Sequence, residues 1–338
     1  VVAAPFGGFV ELYDSTVSGA RWEHNRGRLL AARSIIELDG DLNQPGSVDI
    51  ADSAVLTGSG IRQWGSGAGR VLRSALVATS GAVFTTVVEL QEASVAVEDC
   101  LIRGPSGLVD AAFVSRRNVF DGITEVGLRG RVTSSDDTFR VTSGTAVVGY
   151  LPLISDLYLV HADVPNETAT PAERHGIVVA ACFQCGDRRS AITNAVLEFP
   201  GQAGIRVQGT AVDLAIARVR IEQRPEPGTL AGGIVVTAHA KVSLEDVLVR
   251  NAVGVGVWFG DTAEADIRRL VVDGVSFGAV LGVEGQIEGI ADGLLATSAA
   301  TVRIDEASFT HCERLALAVV ECSGTLGRAR AERCGADL

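Results

Sequence analysis

Along most of the chain apolar and polar residues alternate at a spacing of two, and no sustained 3.6-residue period runs through it. A period of two sends successive side chains to opposite faces of an extended backbone. Short Val, Ile and Leu segments between glycine or asparagine turns therefore predict strands. One phrase recurs: an apolar residue, two polar or variable positions, then apolar-x-apolar. It reads IADSAV at 50–55, VEDCLI at 97–102, ISDLYL at 154–159 and ITNAVL at 192–197. Further copies are IARVRI at 216–221, LEDVLV at 244–249 and IRRLVV at 267–272, with weaker ones starting at Leu72, Phe120, Ile304 and Leu326. Most successive starts lie 22 to 28 residues apart (50 to 72, 216 to 244). The long interval from 154 to 192 holds an insertion at Ala162–Arg174, Pro225–Gly228 is a tight breaker within the interval from 216 to 244, and the span from 267 to 304 has room for a degenerate copy at Ile290. Second strands lie between the phrases, as in GIRVQG at 204–209 and GVGVWFG at 254–260.

Units of this size, with two or three short strands and no helix between them, resemble the coils of the pectin-lyase-like superfamily and of bacterial right-handed parallel β-helix repeat proteins. The resemblance covers roughly residues 45–338. It implies an all-β fold, a right-handed parallel β-helix (a solenoid) of about 11–12 coils of 22–28 residues. A single coil cannot bury its own apolar edge, so stacking supplies the core and each coil touches only its neighbours. The Leu-x-x-Leu-x-Leu-x-x-Asn frame of leucine-rich repeats is absent. Residues 1–44 fit the phrase poorly and are expected to form a short N-terminal capping segment. That segment would contain an amphipathic helix at Arg28–Glu37 and shield the first strand edges; residues 45–338 form the β-helix.

Composition narrows the function classes. Of 338 residues, 47% are hydrophobic and 21% charged, which excludes a disordered chain. No apolar run approaches the ~20 residues of a membrane helix, so membrane insertion is not expected. A net charge of −12 argues against nucleic acid, whose phosphates need clustered cations. Methionine is absent even at position 1 and no cap follows the last repeat. The chain therefore reads as a segment of a longer extracellular or cell-envelope protein, with any signal peptide outside it.

Six cysteines suit an oxidising compartment. Cys312 and Cys334 each follow a phrase start by eight residues, which stacks them on adjacent coils within disulfide reach. A buried thiol ladder is the competing reading. Cys182 and Cys185 read as a loop disulfide, because the second cysteine pair of a zinc site is missing. Asp39, Asp41 and Asn43 echo the start of a calcium loop, but Gln44 stands where its turn glycine belongs and Ile50 where its twelfth-position glutamate belongs. No cofactor other than such a calcium is expected.

The resemblance also implies a test for catalysis. Polygalacturonase-type members use three aspartates from successive coils, a His-Gly pair and a basic residue. Asp136, Asp137, His175 (before Gly176) and Arg218 occur in that order, and Asn118–Gly122 (NVFDG) replaces the Asn-Thr-Asp segment. Asp121 and Asp136 are only 15 residues apart, less than a coil, so they should not stack. An inverting hydrolase needs carboxylates about 6.5–9.5 Å apart around a water, and this spacing gives no such arrangement. Alternation places Ile205, Val207, Ile234, Val236, Val255 and Val257 inside. Outside fall Arg206, Gln208, Val235, Thr237, Gly256, Trp258, Val280, Gly282, Ala316 and Ala318. This strip is small and apolar, as a contact surface for a polysaccharide or another protein domain would be, unless loops cover it. Trp258 with Arg206 and Gln208 is its sugar-stacking candidate. The expected function is a non-catalytic structural or recognition module of a secreted or cell-surface protein, with polysaccharide as ligand. A polysaccharide lyase or glycoside hydrolase is the alternative.

Overall fold

The computed structural model describes residues 2–4, 8–24, 27–64, 68–80, 82–87, 94–109, 112–123, 127–141, 147–161, 175–180, 189–198, 202–210, 212–224, 231–282 and 285–335. Among these there is no helix. The strands form a right-handed parallel β-helix, and the chain divides into two compact units, Val1–Gly149 and Tyr150–Leu338.

In the first unit each strand pairs in parallel with its counterpart one coil on, and alternation turns one residue of each pair of neighbours inward. The clearest column runs Ile36, Val55, Leu76, Ile102, Phe120, Phe139, each opposite the next. All six are at most 1% exposed. The two phenylalanine rings stack with centroids 4.4 Å apart. Each such side chain contributes about 1.5–3 kcal/mol by leaving water.

The repeat also runs through residues 1–44, which corrects the expected helix at Arg28–Glu37. That segment forms the strands Gly27–Ala32 and Ile35–Leu38, which pair with Leu42–Ala51 and Ala54–Thr57. Ile35 is 42% exposed while Ile36 is fully buried, a period of two and not of 3.6. Pairing with the next coil satisfies the backbone, so the local helical pattern is overridden.

Between consecutive strands the chain turns at one left-handed residue: Asp14, Arg33, Asp52, Arg73, Asp99, Arg117 and Asp136, with φ between 45° and 56°. Aspartate tolerates this conformation by bonding locally; arginine does not. Stacked in register, these residues alternate in charge, and Arg33 clasps Asp14, Arg73 clasps Asp52 and Arg117 clasps Asp99. Rungs lie 18 to 26 residues apart (99 to 117, 73 to 99), so several coils are shorter than the expected 22.

In the second unit the first position of the phrase stacks as read from the sequence: Ile154, Ile192, Ile216, Leu244, Ile267, Ile304, Leu326. A second inward column is Ile177, Ile205, Ile234, Val257, Leu294, Leu317. Glycine is required beside it at Gly256, where a Cβ would lie 2.5 Å from both Val272 and the Gly293 carbonyl. An antiparallel hairpin, Gly278–Gly282 with Gly285–Ile290, interrupts the coil after Ser276.

Candidate functional site

Asp136 and Asp137, read as a polar turn or catalytic pair, have separate roles. Asp136 is an exposed left-handed rung, while Asp137 points inward and is 1% exposed. It closes an internal column of polar residues: Ser15, Ser34, Ser53, Ser74, Cys100, Asn118, Asp137. Each backbone N–H donates to the next coil's side chain, from Ser15 to Ser34 Oγ through to Asn118 to Asp137 Oδ1 at 2.8 Å. Ser134 donates its hydroxyl to Asp137 Oδ2 at 2.7 Å. Burial pushes the Asp137 carboxyl above the usual carboxylate range, more strongly than its hydrogen bonds lower it.

A carboxyl raised on folding contributes stability that is present below its unfolded value (about 3.9) and lost as pH rises through its folded value. Asp137→Asn keeps an acceptor for Asn118 N–H and removes the titration. Urea unfolding across pH 4–8 is expected to show a gain over the parent protein that grows with pH. Asp137→Ala is expected to lose about 1–3 kcal/mol or more at every pH, by orphaning two donors. A flat difference for Asp137→Asn would refute the assignment.

The outer strip occupies the second unit. Its register runs Val178, Arg206, Val235, Trp258, Leu295, Ala318, so Leu295 takes the place expected of Val280, which sits in the hairpin. Every member except Arg206 is buried, at 3–7% exposure. Trp258 is therefore not a stacking platform. It packs with Ala203, Val235, Val255, Ile290, Leu295 and Ala318, and its Nε1–H donates to Thr297 Oγ1 at 3.1 Å. Ile290, the last residue of the hairpin, belongs to this outer cluster. Trp258 lies on the face that alternation gives it. Val255, expected inside, packs in this outer cluster, and Gly256, expected outside, turns toward buried Val272. The cover over that face was not in the pattern.

Beside Val255, Asp292 is fully buried and is held by a two-pronged contact from Arg314, with Nε at 2.7 Å from Oδ1 and Nη2 on Oδ2. The carboxylate holds that guanidinium above its usual range. No sequence motif marked this pair.

The remaining candidates do not converge. His175 is buried, and its Nε2 lies 3.4 Å from Nη1 of half-buried Arg206. Desolvation lowers the Arg206 guanidinium, whose Nε has no hydrogen-bond partner. Gln208 is half-buried on the same face. Arg218 is an exposed left-handed rung whose Nε donates to Asn194 Oδ1. Asp121 stands opposite Arg103 and Arg140 in neighbouring coils, away from the rung of Asp136. Asp273, Thr310 and His311 form a cluster the sequence did not flag. Asp273 Oδ1 accepts from Thr310 at 2.7 Å and faces His311 Nδ1 at 3.0 Å, while His311 Nε2 faces Arg333.

Asp41 is buried against two arginines, Arg21 at 3.2 Å and Arg62 at 3.6 Å, so two guanidinium groups occupy the side a calcium would need. Asp39 is exposed and Asn43 half-buried. Cys312 and Cys334 do stack, continuing the register of Thr310 with Glu332, but both are free thiols. This corrects the expected bridge. Burial, with the neighbouring Cys334, pushes the Cys312 thiol up. Cys182 and Cys185 lie outside the described residues.

An open groove of about 290 Å³ lies on another face of the second unit. Outward residues of four adjacent coils line it: Asp213, Lys241, Glu264 and Thr301 in one register row, Ser243, Asp266 and Arg303 in the next. Arg189 pairs with Asp213 at 3.1 Å and Lys241 with Glu264 at 2.9 Å. Among the described residues no helix is long and apolar enough to cross a membrane, and no group of three His, Cys, Asp or Glu side chains could hold a metal ion. No family model, curated protein or solved structure matches the chain significantly.

Proposed function

We propose that the chain is a non-catalytic β-helix module of a secreted or cell-surface protein, a rigid scaffold that presents a polysaccharide-binding groove. The closed outer strip carries the reading. The face that bears reacting groups in pectin-lyase-like enzymes is here packed, among the described residues, with Val178, Val235, Trp258, Leu295 and Ala318, all buried. Charged rungs neutralise one another coil to coil, which suits a stiff support. The groove between Asp213 and Arg303 is an open concave surface among the described residues. Its three cations (Arg189, Lys241, Arg303) balance three carboxylates (Asp213, Glu264, Asp266). Balanced donors and acceptors with Ser243 and Thr301 suit the hydroxyls of a neutral polysaccharide better than a polyanion.

The test is a panel of neutral and acidic polysaccharides scored for binding and for product formation. Retention of a neutral polymer, weakened about tenfold or more by Lys241→Ala with Asp266→Ala and unaccompanied by new reducing or unsaturated ends, is the expected result. Turnover abolished by His175→Ala or Arg206→Ala would overturn the scaffold reading in favour of a lyase or hydrolase.

A further inference from the structure

The two register rows that line the groove of the second unit differ in how their charges are met. In the first row Arg189 pairs with Asp213 at 3.1 Å, and Lys241 pairs with Glu264, its register partner one coil on, at 2.9 Å. In the second row Asp266 and Arg303 are also register partners on adjacent coils. Both are exposed and both line the groove. Yet neither side chain has an ion-pair or hydrogen-bond partner among the described residues. The row continues on both sides, with Ser243 before Asp266 and Thr325 after Arg303, so the two charges stand inside the stack. An unmatched carboxylate beside an unmatched guanidinium can receive one cationic and one anionic group together.

We propose that this row binds a zwitterionic polysaccharide, one with a free ammonium on one sugar and a carboxylate on the next. The inference rests on the reading of the groove as a polysaccharide site and narrows its ligand to a polymer that is neutral only in sum. Asp266 accepts from the ammonium N–H groups, and Arg303 donates a two-pronged contact to the carboxylate. Adjacent coils lie about 4.8 Å apart, which sets the scale of separation for the two ligand charges. That separation suits charges on neighbouring sugars and not those of an amino acid, whose ammonium and carboxylate share one carbon. A polyanion would bring like charge to Asp266 and a polycation would bring it to Arg303, so each is disfavoured at one of the two positions. The first row adds no net field of its own, because its cations and carboxylates already neutralise one another. Ser243, beside Asp266, offers a hydroxyl to the sugar ring.

One polymer in four forms tests this: hyaluronan, its N-deacetylated form, its carboxyl-reduced form, and the form carrying both changes. These present carboxylate alone, ammonium with carboxylate, neither, and ammonium alone. Calorimetric titration of the full chain is run at about pH 6, where both groups are ionised, and at about 0.15 M salt to screen the chain's net charge. N-deacetylated hyaluronan is expected to bind about fivefold or more tighter than each of the other three. Asp266→Asn should erase its advantage over hyaluronan, and Arg303→Gln its advantage over the form with ammonium alone. Both positions are exposed, so the circular dichroism melt should not move. The inference falls, and the groove reading survives, if the neutral form binds as tightly as the zwitterion or if only other neutral polymers are retained. A preference for the zwitterion that both variants keep also overturns the assignment to this row. Retention of no polymer at all sinks the groove reading together with the inference.

Discussion

Replacing Asn118 by leucine is expected to cost about 4 kcal/mol, a large share of the 5–15 kcal/mol that stabilises a typical domain. Asn118 is 1% exposed, and its side chain makes three hydrogen bonds inside the first unit. Its Oδ1 accepts from Cys100 N–H at 2.8 Å, and its Nδ2 donates to the Val97 carbonyl at 2.8 Å and to Ser115 Oγ at 2.9 Å. Leucine keeps the same branched arrangement of four side-chain heavy atoms but is bulkier and apolar, so some overpacking adds to the loss of the hydrogen bonds. The Cys100 N–H loses its acceptor and the Val97 carbonyl this donor, each worth about 1–3 kcal/mol when left unpaired in a dry interior. Asn118→Ser should cost less than half as much, because serine already performs the task in this column. Ser34, Ser53 and Ser74 each accept from the preceding coil and donate to the carbonyl two residues back. Asn118→Asp should be as damaging as leucine at neutral pH and milder in acid, since it sets a second carboxyl beside Asp137. The shift in urea midpoint reports all three. A leucine variant within 1 kcal/mol of the parent protein would show that the column is decorative.

How far the sequence carried the fold depends on which face each residue serves. The inward columns were legible because nothing but apolar residues fills Ile154 to Ile304 or Ile36 to Phe139, and period two is visible without knowing the coil length. The third position of the phrase was legible only as polar. That it is a left-handed turn, and that aspartate and arginine alternate there to neutralise one another, emerges once coils are in register. The copies at 12–17 (LYDSTV) and 31–36 (AARSII) were missed because their rungs are only 19 residues apart (14 to 33, 33 to 52), shorter than the assumed coil. The paired apolar residues of 29–36 then imitated a helix.

The candidate site was less legible, for a different reason. Trp258 and Val235 were placed on the outer face correctly, but outward is not the same as exposed. Whether an outer residue meets water depends on segments distant in sequence, and the hairpin that ends at Ile290 was read as part of the stack. Asp137 misled because its neighbour is also aspartate. The informative signal was positional: the residue after each rung is Ser15, Ser34, Ser53, Ser74, Cys100 or Asn118, a polar inward series in which an aspartate is one more acceptor.

Arg314→Ala is expected to destabilise the second unit by about 3–5 kcal/mol, because it leaves the fully buried Asp292 carboxylate without its counter-charge. Arg314 itself is 40% exposed at its side chain, so truncating it alone creates no deep cavity; the cost comes from its partner. That distinction is testable. Asp292→Asn with Arg314→Ala removes the stranded charge and should recover more than half of the loss. Arg314→Lys should recover little, since an ammonium cannot reproduce the two-pronged contact. Asp292 neighbours Val255, within the cluster that encloses Trp258, so hydration around the carboxylate should reach the indole. A red shift of tryptophan fluorescence before global unfolding is therefore expected in Arg314→Ala and not in the double variant. If Arg314→Ala melts within 1 kcal/mol of the parent protein and its fluorescence is unmoved, the pair does not hold the outer strip closed, and the scaffold reading loses its main support.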